Sequence, residues 1–392
     1  MARVLISGMG IAGPTLAYWL ARSGSTATIV EHAPHPRRGG YIIDFWGKGY
    51  DIAEKMGLMP RLQERGYSVD EVRLVDGDGR KTGEISAAVF KRATHGRYLS
   101  LPRTELAEAA RRAIENDVET IWGQSITSVA AEGDVVRAAI DGAGEQTYDL
   151  VVGADGLHSA VRRIAFGQQT QYEDFLGYKV AAFQAVGYAH RDEGVYVGYA
   201  QPGRQIARFS MRADRTMFLL VWRDEDPTMP DQAAEQRSEI HRQFQDCGWE
   251  SNEILSALDQ AENVYFDRVS QIRMPSWTKG RVALVGDAAY SPSLLAGEGA
   301  GLAMMGAYVL AGEIARHPND LPAALANYEQ TLRSFIGDKQ KSAEKFASSF
   351  VPRTQSGIVL RNLVTNLMKL PFVADLAFGG TVKDHIDLPA YW

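Results

Sequence analysis

Apolar positions near the N-terminus follow spacings that predict a strand, a helix and a second strand. Ala2–Ile6 reads ARVLI, a short apolar run typical of a buried strand, and Thr26–Val30 is a second run of this kind. Between them Pro14–Ala21 (PTLAYWLA) has helical spacing, with a proline that a first helical turn tolerates. The order of strand, turn and helix returns at Tyr148–Gly167 and again from Gly280 onward. The pattern predicts an α/β (α+β) fold with a Rossmann-like first part.

The middle of the chain has a shorter period. From Gly177 to Arg223, runs such as YKVAAFQAVG and TMFLLVWRD predict an inserted, mostly antiparallel sheet, and Ala323–Ala347 has the pattern of a long helix charged on one side. A last helix is predicted from the spacing of Leu360, Leu363, Leu367 and Met368. It covers the core, closes a substrate cavity or attaches to a membrane surface, and the small number of basic residues disfavours the membrane alternative. We therefore divide the chain into a nucleotide-binding domain in two parts (1–170 and 271–320), a substrate-binding sheet (171–270) and C-terminal helices (321–392).

Composition excludes several classes of protein. The net charge of −6 comes without a basic block, so nucleic acid is not an expected partner. Cys247 is the single cysteine, which excludes an internal disulfide framework, and the 8 histidines show no metal-binding spacing, so we predict no metal. The chain has no apolar run of about 18 residues, so no integral membrane segment is expected. An N-terminal targeting segment is the rival interpretation of the opening, but glycines and Pro14 interrupt it, and we expect a cytoplasmic protein.

The stretch GMGIAG joins the first predicted strand to the first predicted helix. Gly8, Gly10 and Gly13 have the spacing G-x-G-x-x-G, which allows a sharp turn, a close approach of backbone to a pyrophosphate, and tight packing of helix on strand. Glu31 follows Gly13 by 18 residues (31 − 13), close to the ~20 expected for the acid that binds a ribose diol. Since a carboxylate there would repel a 2′-phosphate, the bound nucleotide is FAD or NAD, not NADP.

Two later motifs have the same strand-to-turn context. DGLHSAVR carries Asp155 at an Asp-Gly turn and Arg162, which offers a fork for a phosphate, although a plain turn with a surface arginine would look the same. GDAAY places Asp287 at a strand end, where it can accept from a ribityl hydroxyl, and GEG (Gly297–Gly299) leads into a helix of small residues. That helix can direct its positive end at a reduced flavin ring, or it can simply pack on the sheet.

Together these motifs resemble the FAD-dependent aromatic hydroxylases, the single-component flavoprotein monooxygenases of the para-hydroxybenzoate hydroxylase fold. The resemblance implies that NADPH or NADH reduces FAD and that a flavin hydroperoxide then transfers one atom of molecular oxygen to the substrate. It requires no catalytic side-chain dyad, so we predict none. The cofactor-binding residues that it implies are Gly8, Gly10, Ala12, Gly13, Glu31, Gly40, Arg103, Asp155, Asp287, Gly297, Gly299 and Ala300.

A finer resemblance concerns the substrate. GGYIIDF and SLLAGEGAGLAMMGAYVLA are similar to segments of tetracycline-inactivating and antibiotic-tailoring monooxygenases, which implies a phenolic or polycyclic aromatic substrate, with a tetracycline-like polyketide as one candidate. Tyr290 stands where the family commonly has histidine (GDAAH), so substrate identity does not transfer directly. Candidate substrate-binding residues are Gln184, Arg208, Phe209, Met217, Trp222, Leu294, Leu295 and Ala296, and strand alternation directs about half of the sheet residues away from any one face.

Other functions remain open at this point. An FAD-dependent reductase or dehydrogenase would use the same fold without oxygen transfer, and a non-catalytic protein could retain the motifs and only bind an aromatic ligand. A flavin halogenase usually shows W-x-W-x-I-P, which the chain lacks. The chain also has no second G-x-G-x-x-G, which favours transient NADPH or NADH binding near Asp155 and Arg162. We expect a monomer or a homodimer.

Overall fold

The computed structural model describes residues 1–36, 41–368 and 384–392. Its strands are β1 (Arg3–Ser7), β2 (Thr26–Glu31), β3 (Ile42–Trp46), β4 (Glu71–Val75), β5 (Lys81–Ser86), β6 (Tyr98–Pro102), β7 (Glu119–Trp122), β8 (Ile126–Glu132), β9 (Val135–Ile140), β10 (Gly144–Tyr148), β11 (Leu150–Gly153), β12 (Glu173–Val186), β13 (Val195–Gln201), β14 (Arg204–Met211), β15 (Arg215–Arg223), β16 (Val264–Ile272), β17 (Thr278–Lys279) and β18 (Val282–Leu284).

The α-helices are α1 (Ala12–Arg22), α2 (Gly47–Lys55), α3 (Met59–Arg65), α4 (Ala87–Ala93), α5 (Arg103–Arg112), α6 (Ala160–Ala165), α7 (Ala233–Phe244), α8 (Ser251–Gln260), α9 (Asp287–Tyr290), α10 (Gly299–Arg316), α11 (Leu321–Phe350) and α12 (Gln355–Leu367). Short 3₁₀ turns cover Gln169–Gln171 and Leu294–Ala296. Across the described ranges, none of these helices combines the length and the apolar character that a membrane crossing requires.

A six-stranded sheet forms the nucleotide-binding part, in the order β17-β18-β11-β1-β2-β7. Its pairs β1–β11, β1–β2, β11–β18 and β2–β7 are parallel, as the repeated strand, turn and helix pattern predicts. The carboxyl ends of parallel strands meet at one edge of a sheet, so the turns after β1, β11 and β18 lie side by side with the end of β2. This edge brings the predicted glycine turn together with Glu31, Asp155 and Asp287.

A seven-stranded sheet, ordered β16-β12-β15-β14-β13-β4-β5, forms the predicted inserted sheet. The pairs from β16 to β14 are antiparallel, whereas β13 pairs with β4 in parallel. The strands β4 and β5 come from residues 71–86, which we had assigned to the first nucleotide-binding part. The alternation near Gly177–Arg223 reveals only the central strands, because edge strands can arrive from any part of a chain.

The two faces of this sheet have different neighbours. One face packs on α7 and α8, where Phe218 and Trp222 meet Ile240 and Phe244 in a closed apolar core. The opposite face meets the nucleotide-binding part, and its apolar clusters include Phe209 and Met217 as well as Val180 and Leu295. The cavity described below is lined by residues of this second face, such as Gln184, and also by Phe183 and the α8 residue Glu253 on the first side.

The helix α12 covers the edge strand β5 with an unexpected face. Asn362 donates to Thr82 Oγ1 at 2.9 Å and Asn366 donates to the Thr82 carbonyl oxygen at 3.0 Å, so the inner face is partly polar. Leu360 and Leu363, which we used to define the apolar side of the helix, are 62% and 55% exposed. The helical spacing was right, but the spacing does not tell which side faces the protein.

Candidate functional site

The glycine turn after β1 is tightly packed at two of its three glycines. Gly8 has a φ of 110°, and a Cβ atom there would lie 2.5 Å from the carbonyl oxygen of Ala154. A Cβ atom on Gly13 would overlap the carbonyl oxygen of Gly8. Gly10 differs, because the nearest atom to its hypothetical Cβ is Nη2 of Arg103 at 4.0 Å. The turn therefore needs Gly8 and Gly13 for its own shape, while Gly10 leaves open space under a guanidinium group.

Glu31 ends β2 beside this turn with a buried side chain. Its Oε2 accepts from the Met9 amide at 2.8 Å, and its Oε1 accepts from the Ala33 amide at 2.9 Å. Oε1 also lies 3.1 Å from Nδ1 of His32, so Oε2 keeps the clearer capacity for another donor, such as a ribose hydroxyl. Glu31 thus fixes the turn and is oriented for the predicted contact with ribose.

Arg103 begins α5 at the opposite wall of the same space. Its backbone amide donates to the carbonyl oxygen of Tyr41 at 3.1 Å, which fixes the start of the helix against the strand β3 region. Burial raises the pKa of the Asp287 carboxyl, and the positive charge of Arg103 opposes that rise. The guanidinium group therefore lies between Gly10 and Asp287, where a diphosphate linked to a ribityl chain would need a cation.

The Asp155 carboxylate is bonded mainly to its own loop. Oδ2 accepts from the Ala160 amide at 2.8 Å and from the Val161 amide at 3.1 Å, and Oδ1 accepts from the Ser159 hydroxyl at 2.5 Å. Burial raises the pKa of Asp155, and these donors oppose the rise. Asp155 lines the cavity described below, and its carboxylate acts as an N-terminal cap of α6.

Arg162 is fully buried, which corrects the expectation of a phosphate fork in a groove. Its Nη1 donates to the carbonyl oxygen of Ala288 at 2.9 Å, and its Nη2 donates to Leu157 at 2.6 Å and to Gln169 at 3.1 Å. Burial lowers its pKa, while the charge of Asp155 opposes the change. The side chain ties the Asp155 turn to the Asp287 turn and has no surface with which to bind a mobile nucleotide.

The turn that begins α10 brings in the remaining predicted cofactor residues. Gly297 has a φ of 68°, the left-handed conformation that ends the 3₁₀ turn before it. A Cβ atom on Gly299 would contact Oδ1 of Asp287 at 3.5 Å, so the two motifs of the sequence meet. The first turn of α10, including Ala300, carries no acidic side chain, so its positive end comes from backbone amide groups, which lie next to the carboxyl groups of Glu298 and Asp287.

One cavity of about 1370 Å³ links these elements to the seven-stranded sheet. Its lining at the nucleotide end includes Ser7, Gly8, Val30 and His32, and its lining farther along includes Tyr41, Arg103, Asp155, Gln184, Tyr265 and Asp287. The rings of Tyr41 and Tyr265 lie 5.6 Å apart between their centroids. The cavity has glycine-lined and cationic walls at one end and aromatic walls at the other, so the residues present fit an extended dinucleotide with space beyond it.

The predicted substrate residues fall into three groups. Gln184 lines the cavity, and Phe209 and Met217 pack on the same face of the sheet, in one cluster with Tyr41 and Tyr98. Leu294 and Leu295 pack on that face against a neighbouring cluster, and Ala296 is half-buried beside them.

Arg208 and Trp222, two of the candidate substrate residues, do not line the cavity and lie on the side of the sheet that packs on α7 and α8. Trp222 is fully buried in the core with α7 and α8, and Arg208 forms an ion pair with Glu250 at 2.8 Å and another with Asp192 at 2.8 Å. Strand alternation separates Arg208 from Phe209 but does not tell which of the two faces the cavity.

Tyr290, which replaces the common histidine, lies behind the cavity wall. It is 1% exposed, its hydroxyl accepts a hydrogen bond from Tyr328 at 3.4 Å, and a Cβ atom on Gly306 would overlap its hydroxyl. Burial raises the pKa of Tyr290 to about 12. The residue therefore packs α9 on α10 and offers no group to a substrate.

Sequence reasoning missed several polar groups near the cavity. His158 Nε2 lies 3.2 Å from Asp267 Oδ2, which joins the Asp155 loop to β16. Asp44 accepts from Tyr98 at 2.6 Å and from Ser100, on the β3–β6 pair, and burial raises the pKa of Asp44. These contacts join residues far apart in the chain, so no local spacing of residues indicates them.

Two predictions remain, one about Gly40 and one about metal binding. Gly40 falls outside the described residues. Where side chains are described, no group of three His, Cys, Asp or Glu residues is arranged to hold a metal ion.

Comparisons with known proteins show which family the chain belongs to. A family model described as FAD binding domain matches residues 1–337. A flavin-dependent monooxygenase of Legionella longbeachae serogroup 1 (strain NSW150) is 32% identical over 399 residues, covering 99% of this chain and 98% of the relative. The uncharacterized protein Rv1260 of Mycobacterium tuberculosis (strain ATCC 25618 / H37Rv) is 34% identical over 350 residues, with 87% of this chain and 92% of the relative covered. The crystal structure of tetracycline destructase Tet(55) matches with a TM-score of 0.84 at 30% identity, covering 99% of this chain and 98% of that chain.

Proposed function

We propose that this chain, which belongs to the FAD binding domain family and is an FAD-dependent monooxygenase, uses NADPH or NADH and molecular oxygen to hydroxylate a phenolic or polycyclic aromatic substrate. The observation that carries the proposal is that one cavity is lined both by the nucleotide turn and by the seven-stranded sheet. A cofactor held at one end would present its reactive ring to a substrate at the other.

The nucleotide end supplies the binding energy in this proposal. Gly8 and Gly13 shape the turn, Gly10 admits the diphosphate, Arg103 balances its charge and Glu31 accepts from the ribose. Asp287 accepts from the ribityl chain, and the start of α10 (Gly299 and Ala300) places positive potential beside the ring. Bound FAD supplies the redox chemistry and the activation of oxygen.

The sheet end orients the substrate and keeps water away. Tyr41 and Tyr265 line the cavity and offer aromatic surface to a substrate ring, and Gln184 provides a polar contact. Phe209 and Met217 are buried in the apolar cluster that supports Tyr41. Exclusion of water protects a reactive oxygen species from unproductive decay. No side chain has to act as general acid or base in this arrangement.

A polycyclic substrate of the tetracycline type is one candidate. The support is the length of the cavity and the similarity to tetracycline destructase Tet(55) at 30% identity. Simple phenols remain alternatives within the same proposal.

We propose that the nicotinamide nucleotide binds transiently where the loop Asp155–His158 lines the cavity. Because Arg162 is bonded to backbone carbonyl groups, this site does not use its charge. A cytoplasmic location and a monomeric or homodimeric state remain predictions.

The test begins with the absorption spectrum of the purified protein and with reconstitution by FAD. Oxidation of NADPH and of NADH is then measured against tetracyclines, anthracyclines, simple phenols and quinones under ¹⁸O₂. We expect a yellow protein, substrate-stimulated nucleotide oxidation and one labelled oxygen atom in the product.

The alternative functions give different results. Reduction of a substrate without incorporation of ¹⁸O into the product would indicate a reductase or dehydrogenase. Tight binding of an aromatic ligand without any nucleotide oxidation would indicate a non-catalytic binding protein. A protein that cannot be reconstituted with FAD would contradict the cofactor site itself.

A further inference from the structure

A buried group of three charges lies directly behind the turn that begins α10. Lys339, on α11, places its Nζ atom 2.8 Å from Oε1 of Glu298 and 3.0 Å from Oδ1 of Asp384. The three side chains are 8%, 12% and 11% exposed, respectively. Glu298 is the middle residue of Gly297–Gly299, and none of the functional roles above uses its charge.

Asp384 extends this charge triad to a second helix. Its Oδ2 accepts from the backbone amide of Lys48 at 2.7 Å, in the first turn of α2. The helices α2 and α10 touch through backbone, since a Cβ atom on Gly49 would overlap the Cα atom of Gly301. The triad therefore fixes the N-terminal ends of two helices that meet beside the proposed ring site.

The C-terminal segment that carries Asp384 is anchored at several points. Tyr391 donates from its hydroxyl to Glu313 at 2.5 Å, Arg316 donates to the carbonyl oxygen of Ala390 at 3.1 Å, and the ring of Trp392 stacks on Trp19 at 4.6 Å. These contacts are all with α1 and α10. Asp384 is thus held in place by the packing of its own segment.

Among the described residues, further acidic groups lie near Glu298. Besides Lys339 and Asp384, Asp287 contacts the position of Gly299, and Asp44 shares a small pocket with Glu298 and Asp384. Burial raises the pKa of Glu298 to about 7, although Lys339 opposes the rise. The turn therefore changes its charge close to neutral pH.

We propose that Glu298, Lys339 and Asp384 act as positioning residues, which hold the turn Gly297–Gly299 against the ring of bound FAD and set the charge that the ring meets. The inference rests on the proposed function, because it places that ring at the start of α10. A negative charge there disfavours the negative charge that a flavin gains on reduction.

The first experiment measures the FAD dissociation constant by the fluorescence of released FAD. Lys339→Met leaves Glu298 and Asp384 unpaired, and we expect at least tenfold weaker binding. Lys341→Met is the matched control, because Lys341 lies on the same helix and is 70% exposed. Asp384→Asn should weaken binding several-fold, whereas Asp387→Asn, on an exposed residue of the same segment, should change it less than twofold.

The second experiment measures the midpoint potential of bound FAD in Glu298→Gln. At pH 8 wild-type Glu298 is mostly ionised, so the variant should have the higher potential; at pH 6 wild-type Glu298 is mostly protonated, so the difference should shrink. A merely structural role would give the same difference at both pH values.

The outcomes separate the two proposals. A wild-type protein that binds no FAD contradicts the proposed function. A wild-type protein that binds FAD while Lys339→Met stays within twofold of Lys341→Met, or an offset in Glu298→Gln that does not depend on pH, overturns the triad inference. If Lys339→Met does not fold, the double variant Glu298→Gln/Lys339→Met, which removes both charges of that ion pair, replaces it. FAD affinity within twofold of wild type in this double variant also overturns the inference.

Discussion

At the nucleotide end of the cavity the backbone makes the surface, whereas at the sheet end side chains make it. Backbone carbonyl groups pack directly against Gly8 and Gly13, and the Glu31 carboxylate accepts hydrogen bonds from two backbone amides. On the seven-stranded sheet, neighbouring residues such as Arg208 and Phe209 face opposite ways, and only one of the two belongs to the cavity side. A change at the first end should therefore act on the cofactor, and a change at the second should act on stability or on substrate according to its face.

The largest effect is expected at Gly10. A Cβ atom there would meet no atom closer than Nη2 of Arg103 at 4.0 Å, and a leucine side chain would occupy the space under that guanidinium group. FAD affinity should therefore fall by at least ~100-fold while the melting temperature of the apoprotein changes little. The control is Gly13→Ala. Its Cβ atom would overlap the carbonyl oxygen of Gly8, so this variant should lose both FAD affinity and thermal stability. Flavin titration and thermal unfolding measure the two effects. Normal flavin retention in Gly10→Leu would refute the assignment of the pyrophosphate turn.

The next effect tests the two faces of the sheet. Arg208→Met leaves Glu250 and Asp192 without their buried cation and should lower the free energy of unfolding by about 3 kcal/mol, with an unchanged KM. Gln184→Ala should change the KM for an aromatic substrate several-fold with little loss of stability, because Gln184 lines the cavity. Urea denaturation and steady-state kinetics distinguish the pair. A reversed pattern would mean that the faces are assigned wrongly.

A smaller effect is expected at Glu31. Glu31→Gln keeps the shape but loses charge-assisted acceptors, and one amide group cannot accept at both ends. We expect roughly tenfold weaker FAD binding, equivalent to about 1.4 kcal/mol. Isothermal titration of the apoprotein with FAD measures it. If wild type and Glu31→Gln bind FAD with equal affinity, Glu31 does not recognise the ribose and other groups do.

The smallest effect concerns the contact between the two ends. Asp267 raises the pKa of His158, so the pair stabilises the fold fully below the ordinary histidine pKa, and the contribution disappears as pH rises through the raised value. Because His158 is 58% exposed, solvent screening should keep the effect below about 1 kcal/mol. The free energies of unfolding of wild type and His158→Gln, measured at pH 6 and pH 9, test this prediction. A difference between the two proteins that is larger at pH 9 than at pH 6 would contradict it.

The sequence predicted the nucleotide end better than the sheet end for a physical reason. The turn Gly8–Gly13 depends on contacts between residues near one another in the chain, so its glycines leave a local spacing. The strands and helices of the first part are confirmed, and the roles of the cofactor residues stay predictions.

Long-range contacts leave no such spacing. The contact between the tilted rings of Tyr41 and Tyr265 and the ion pairs of Lys339 depend on how distant segments fold together. Alternation predicted the strands of the sheet, but the choice of face for Trp222 depends on α7 and α8, which come later in the chain. For the same reason the burial of Arg162 was not visible from its motif.

The parallel pairing of β13 with β4 limits how this protein can be recombined with its relatives. Val195 to Tyr199 pair with Glu71 to Val75, so the sheet needs two separate stretches of the chain. A chimera that exchanged only residues 171–270 would keep the host's β4 and β5 beside a foreign β13, and any mismatch in register would turn the alternating side chains to the wrong faces. Exchange of substrate preference between relatives should therefore carry residues 71–86 along with the central strands.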